Sequence, residues 1–395
     1  MAGGGNERVS FLSSPSPTSS APPHSMTMRT IFSFTRRLPF TLMLALAAVN
    51  GIAAEETRAR PEAPRGAEIV EVKKIWDAGG HNAFTDLIRW RERWWCTFRE
   101  AAAHVGGDGV IRVITSADGA AWESAAALAE QGVDLRDPKF SVTPEGRLML
   151  VCGGSIYAGT KVLKGRRPRV LFSDDGRAWT APQKILEEGD WLWRVTWHEG
   201  IAYGVSYRPG KVAAGAVAPM AGNEVLVLCK SRDGVAWSEL AQLDVPDRPN
   251  ETTLRFLADG RMVAMVRREA GNKLGWFGEA RAPYTQWTWR ESNMRFGGPD
   301  FLELPDGRLI AGTREYPPVA NGTANWTTIV ASVEGARLEK LVTLPSGGDT
   351  SYQRLVWHDG LLWVSYYSSH EGKTAIYLAK LRLPERADGA AKRRE

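Results

Sequence analysis

The chain has 395 residues, 50 basic and 45 acidic side chains, a net charge of +5, 43% apolar and 24% charged residues, which is enough apolar material for one sizeable globular fold. Basic and acidic residues are interspersed, and no Lys/Arg cluster coincides with an aromatic stacking platform, which argues against a nucleic-acid partner. Cys96, Cys152 and Cys229 are odd in number, widely spaced and set in apolar runs, and the six His show no paired spacing, so neither a disulfide framework nor a metal site is expected, and no cofactor is implied.

Residues 1–25 are rich in Ser, Pro and Gly and cannot bury a core. From Met26 or Met28 the chain reads as an export signal: Arg29, Arg36 and Arg37, an apolar run from Leu38 to Val49, then Gly51-Ile52-Ala53-Ala54, with cleavage expected near Ala53 or Ala54. The Thr35 to Phe40 stretch fits the twin-arginine and the general secretory routes alike. The apolar run is too short for a comfortable bilayer span and no later segment reaches that length, so a soluble, exported mature chain is expected, periplasmic or extracellular, with a retained anchor as the alternative. The expected layout is a leader over 1–54, one folded domain over 68–384, and a charged tail over 385–395.

Next come strand, tight turn and strand, six times over. Phe84 to Arg99 turns at Arg91-Glu92-Arg93. Phe140 to Gly153 turns at Glu145-Gly146, Val195 to Ser206 at Glu199-Gly200, and Thr253 to Arg267 at Asp259-Gly260. Phe301 to Arg314 turns at Asp306-Gly307 and Gln353 to Tyr366 at Asp359-Gly360. Acidic-Gly turns between alternating apolar runs are hairpin signals. Interleaved with them, Ser116-Ala-Asp118-Gly119-Ala-Ala-Trp122 recurs at Ser173 to Trp179 and at Ser231 to Trp237, 57 and 58 residues apart. Here Ser and Asp are expected to bind turn backbone, Gly to take the left-handed conformation and Trp to pack between sheets.

The period predicts an all-β, six-bladed propeller in which Thr374 to Leu383 and the early strand Ile69 to Trp76 complete the last blade and close the ring. A pair of β-sandwiches is the rival fold. In a propeller the starts of the innermost strands converge on the axis, which gathers Asp86, Asp137, Arg194, Glu251, Asp300 and Tyr352 at one mouth. The ends of the second strands return there with Arg99, Arg208, Arg267 and Arg314. Such residues can simply pair around a solvated channel; a Tyr, a Glu and several Arg in register suit an acidic ligand.

With these residues in hand, the chain resembles the sialidase (neuraminidase) superfamily over nearly all of its mature length. The three turns are similar to shortened Asp-box motifs. The run Asn250-Glu251 to Arg267, with Asp259-Gly260 between, is similar to the family's hairpin bracketed by Glu and by Arg sixteen residues later; Gly348-Asp349-Thr350-Ser351-Tyr352 resembles the segment bearing the nucleophilic Tyr. The resemblance implies Tyr352 as nucleophile, Glu251 as its proton acceptor, and Arg267 and Arg314 as part of a carboxylate-gripping cluster. A neutral phenol suits an anomeric centre that carries its own carboxylate, which would repel an anion.

Two positions depart from the pattern. Where the family opens its first blade with Arg, this chain reads His81-Asn82-Ala83-Phe84-Thr85-Asp86, leaving Arg99 or Arg194 to compensate. The loop that carries the family's acid is Ala101 to Gly109, offering Asp108 or His104. Trp191 and Trp193 with Arg194, Tyr207 and Arg208 form a candidate sugar-stacking wall, with packing between strands as the alternative, and Asp137 and Asp300 are candidate ligands for hydroxyls or partners for Arg. The expected activity is exo-hydrolysis of a terminal acidic sugar from a glycan. The alternatives are a hydrolase or lyase of another acidic sugar such as a uronate, or a non-catalytic glycan-binding propeller.

Overall fold

The computed structural model describes residues 66–107, 109–159, 161–210, 223–317 and 326–385; the leader 1–54, the tail 386–395 and Asp108 lie outside the described residues. Among these residues there are twenty-four strands and no helix, so no helix is long and apolar enough to cross a membrane. The strands form six four-stranded antiparallel sheets. Blade 1 spans 81–128, blade 2 134–184, blade 3 191–243, blade 4 249–291 and blade 5 300–343. Blade 6 spans 351–382 and takes Glu68–Trp76 as its outermost strand, hydrogen-bonded to Ala375–Arg382.

The innermost strands are His81–Trp90, Asp134–Val142, Trp191–His198, Pro249–Phe256, Asp300–Glu303 and Ser351–His358. Each touches the innermost strand of the next blade, and the sixth touches the first, closing the ring. The structure is thus a six-bladed β-propeller. Its core is divided into six apolar clusters, one between each pair of neighbouring blades: Trp90, Trp95, Phe140 and Leu171 lie between blades 1 and 2, for example, and Trp94, Leu87, Trp363 and Ile376 between blades 6 and 1.

The three Ser-Asp-Gly-Trp turns work alike. Ser173 Oγ accepts the Gly176 N–H at 2.8 Å, Asp175 Oδ1 accepts the N–H groups of Arg177 and Ala178 at 2.8 Å each, and Trp179 Nε1 donates to the Gly176 carbonyl at 3.0 Å. Gly176 has φ +76°, and a Cβ there would lie 2.3 Å from the Trp95 ring of the preceding blade. Gly119 faces Trp363 and Gly234 faces Met149 in the same way. These turns therefore join each blade to the one before it.

The inner hairpins are of two kinds. Arg91-Glu92, Glu199-Gly200 and Asp359-Gly360 have two successive positive φ values, the two-residue turn that matches strand twist. At Gly146, Gly260 and Gly307 only the glycine is left-handed, and the loop is longer by one residue, closed by N–H groups of Thr143, Leu257 and Leu304 on carbonyls of Arg147, Arg261 and Arg308. Arg91-Glu92 adopts the first kind with neither Gly nor Asn.

Candidate active site

Five of the six innermost strands break register near their start, between Ala83 and Asp86, Arg136 and Lys139, Leu192 and Val195, Pro249 and Thr252, and Ser351 and Arg354. Such bulges add a residue, bend the strand and re-aim side chains. Phe84, Asp137 and Tyr352 each take positive φ, at 68°, 53° and 54°. The bulged residues meet: the Tyr352 ring lies 5.0 Å from Phe84 and 5.3 Å from Trp193, and Lys139 Nζ stands 4.8 Å from the Trp193 ring centre.

At the centre the Tyr352 hydroxyl donates to Glu251 Oε1 at 2.6 Å. Arg267 Nη1 donates to the same oxygen at 2.7 Å, and the Gly298 N–H donates to Oε2 at 3.0 Å. Gly298 has φ +58° and sits so close that a Cβ would lie 2.8 Å from the Tyr352 nitrogen; the backbone approach needs glycine. Burial works to raise the Glu251 carboxyl, but the Arg267 guanidinium and the donated hydrogen bonds outweigh it and hold Glu251 below its usual range. Burial, then the negative charges of Glu251 and Asp137, push the Tyr352 phenol well above its ordinary value. The pair is therefore a neutral phenol donating to an ionised carboxylate, with Tyr352 only partly buried and so reachable from outside.

Two further guanidinium groups flank this pair. Arg314 is 6% exposed; its Nε donates to the Thr350 carbonyl at 2.6 Å, and Nη1 and Nη2 stand 3.4 and 3.3 Å from the Tyr316 and Tyr367 hydroxyls. Those partners are all neutral. Arg136 stands over the Phe84 ring at 5.0 Å, donates to the Tyr157 hydroxyl at 3.1 Å and approaches Asp134 at 3.6 Å. Between Arg136 and Lys139 lies Asp137, 7% exposed, with Oδ1 buried and without a hydrogen-bond partner. Burial raises its carboxyl more than Arg136 and Lys139 lower it. Burial likewise pushes the Lys139 ammonium down to about 8.

On the far side of Phe84, His104 Nδ1 and His81 Nε2 both face Asp349 Oδ2, at 2.6 and 2.9 Å, and the Tyr367 hydroxyl donates to Asp349 Oδ1 at 2.9 Å.

The structure brings Tyr352, Glu251, Arg267, Arg314, Asp137, Trp193 and His104 to this mouth. It places Arg99, Arg194, Asp300 and Arg208 elsewhere. Arg99 is fully buried, with Nε on Asp134 at 2.6 Å and Nη1 on the Ala103 carbonyl at 2.7 Å, where it anchors the loop after its own strand. Arg194 and Asp300 lie further along the axis in a buried ion lattice: Asp86 takes Arg194 at 2.8 Å and the Phe140 N–H at 2.7 Å, while Asp300 takes Arg354 at 3.2 Å, Arg255 and the Leu355 N–H. The bulge separates Trp193 from Arg194, so these neighbours serve different levels. Arg208 pairs with Glu239 at 2.6 Å and Asp190 at 3.7 Å, toward the outer strand of blade 3. Neither Arg99 nor Arg194 thus fills the blade 1 position, where Phe84 stands.

Residues absent from the expectations are Phe84, Arg136, Lys139 and the Asp349–His81–Tyr367 group. Arg136 and Lys139 flank Asp137-Pro138, a signal in plain view. A groove beside the third turn is lined by Tyr203, Lys230, Asp233 and Ser238, with Asp233 Oδ1 engaged by the turn's own N–H groups of Val235 and Ala236.

No family model and no curated protein matches the chain. Solved structures do. A protein of unknown function from Dyadobacter fermentans aligns at TM-score 0.69 and 19% identity, over 80% of this chain and 99% of that one. The NanB sialidase of Streptococcus pneumoniae aligns at TM-score 0.57 and 11% identity, over 79% and 70%. The α-L-arabinanase of Penicillium chrysogenum, solved with arabinobiose, aligns at TM-score 0.59 and 12% identity, over 79% and 98%. At such identity the likeness establishes the six-bladed propeller fold.

Proposed function

We propose that this chain is a glycoside hydrolase that releases a terminal acidic sugar, with Tyr352 as nucleophile. The observation that carries the reading is the 2.6 Å hydrogen bond from the Tyr352 hydroxyl to a Glu251 carboxylate kept ionised by Arg267. That the sugar is acidic rests on Arg314, a nearly buried cation whose partners are all neutral and which therefore suits an incoming carboxylate. The sialidase and arabinanase among its structural neighbours support a glycosidase reading of the fold.

In the first step Glu251 takes the phenolic proton as the Tyr352 oxygen bonds to the anomeric carbon and the glycosidic C–O bond breaks. Asp137 gives its proton to the departing oxygen; burial raises its carboxyl while Arg267 and the donated hydrogen bonds lower that of Glu251, which sets the two apart as acid and base. In the second step Asp137 takes a proton from water, the water oxygen displaces Tyr352 from the sugar, and Glu251 returns the proton to the phenolate. Asp137 is favoured over His104 because His104 is engaged with Asp349. Asp108 is the remaining candidate.

Phe84, where the resemblance expects a third Arg, favours a substrate other than sialic acid itself, such as a uronate. Aryl sialosides and aryl uronides assayed side by side, with products weighed by mass spectrometry, separate the two and expose any elimination, which leaves an unsaturated sugar. Tyr352→Phe should lower turnover of the accepted substrate at least about 10³-fold; full turnover by this variant would sink the reading. The leader argues for an exported protein. N-terminal sequencing of secreted material should find a start just after Ala53 or Ala54, and a start at Met26 or Met28 would contradict export by cleavage.

A further inference from the structure

Composition gave no reason to expect a metal, because no two His or Cys share a ligand spacing. Folding supplies what spacing did not. His81 comes from the first strand of blade 1, His104 from the loop after Arg93–Ala101, and Asp349, which lies 268 residues from His81 and 245 from His104 along the chain, from just before Ser351–His358; their donor atoms all lie within 4.8 Å of one another. Two imidazole nitrogens converge on one carboxylate oxygen. His81 has no other polar commitment, since its Nδ1 is buried without a partner.

We propose that His81 Nε2, His104 Nδ1 and Asp349 Oδ2 are the ligands of a divalent transition-metal ion of the zinc class. Two imidazoles and one carboxylate suit such an ion and leave a coordination position open. That position falls on the solvent side, where His104 and Asp349 keep 46% and 27% of their side chains exposed. An outer shell is in place: Tyr367 holds Asp349 Oδ1, and Ser369 Oγ donates to the Asp349 carbonyl at 3.0 Å. Tetrahedral ligands about 2 Å from one ion stand about 3.3 Å apart, so both separations from Asp349 must open, slightly at the buried His81 and more at the exposed His104, which must swing outward. Its loop, with Gly106 and Gly107 at φ 90° and 80°, has the backbone freedom to allow this.

The ion would stand beside Phe84, where the resemblance expects a third arginine, and Tyr367 links it to Arg314 through a 3.3 Å contact. It would therefore serve as the missing positive group that grips the substrate carboxylate opposite Arg314. This role rests on the functional reading above; the binding site does not.

The test is titration of the EDTA-treated full chain with CoCl₂, read by visible d–d absorption, and with ZnCl₂, read by calorimetry. One equivalent should bind. Asp349→Asn and the exposed His104→Ala should weaken Zn²⁺ at least about 100-fold, and Tyr367→Phe about 10-fold. Stoichiometry below half an equivalent, or unaltered affinity in both ligand variants, overturns the site. Glucuronate and N-acetylneuraminate should bind more tightly to the Zn²⁺-loaded chain than to the stripped one; equal affinity overturns the gripping role. Stoichiometric Zn²⁺ with no acidic sugar bound or cleaved removes the functional reading and leaves the ion site standing.

Discussion

A phenol beside a carboxylate is common, but here the carboxylate is tied by three donors and cannot leave. Arg267, the Gly298 N–H and Tyr352 fix both Glu251 oxygens, so the proton acceptor is oriented before substrate arrives. Glu251→Gln keeps the shape and removes the charge; it should cost about 10²- to 10⁴-fold in kcat, and full activity would show that Glu251 is not the base. The two carboxyl groups also set a pH window. Glu251, held low, must be ionised, and Asp137, held high, must be protonated. Activity should thus rise as pH passes the lowered value and fall as it passes the raised one, and Asp137→Asn should abolish the falling limb for substrates with good leaving groups. The same shift bears on stability. An acid whose folded-state pKa is raised lets stability fall as pH climbs through it, so Asp137→Asn should unfold at higher urea than wild type at neutral pH, with the gap closing below the ordinary Asp range. Arg314→Met should raise KM about 10- to 100-fold, the loss of one charged hydrogen-bonded contact, with kcat less affected.

At the scale of elements, the hairpins and blade turns were legible because each is written in a few adjacent residues. Asp-Gly between alternating runs dictates a reversal, and Ser-X-Asp-Gly satisfies its own backbone. The bulges were not legible, since nothing in Leu192-Trp193-Arg194 announces that a register break will send Trp193 to the mouth and Arg194 to the axial lattice. Nor does Arg99 reveal in sequence that Asp134 will claim it. The glycines make a clean contrast. Gly176 and Gly146 both have positive φ, yet a Cβ at Gly176 meets Trp95 while one at Gly146 meets nothing within 4 Å. Gly146→Ala should cost about 1–2 kcal/mol of strain and Gly176→Ala about 2–5 kcal/mol, strain plus overpacking. Equal urea midpoints for the two would contradict the joining role of the turns.

For the whole molecule, closure was readable from the odd count of strands in the last repeat, and Glu68–Trp76 supplies the missing edge. What gathers at the axis was readable only in outline. Glu251 and Tyr352 are 101 residues apart, and only the resemblance singled out that pair from the other charged residues at the mouth. The His81–His104–Asp349 group had no such guide. The proposed chemistry turns on whether the Tyr352 oxygen bonds to sugar. Incubation with a fluorinated acidic glycosyl fluoride, followed by proteolysis and mass spectrometry, tests this most directly. One glycosyl adduct per chain is expected, on the peptide carrying Tyr352. An adduct on Glu251 or Asp137 instead, or turnover of the probe with inverted configuration and no adduct, would contradict it.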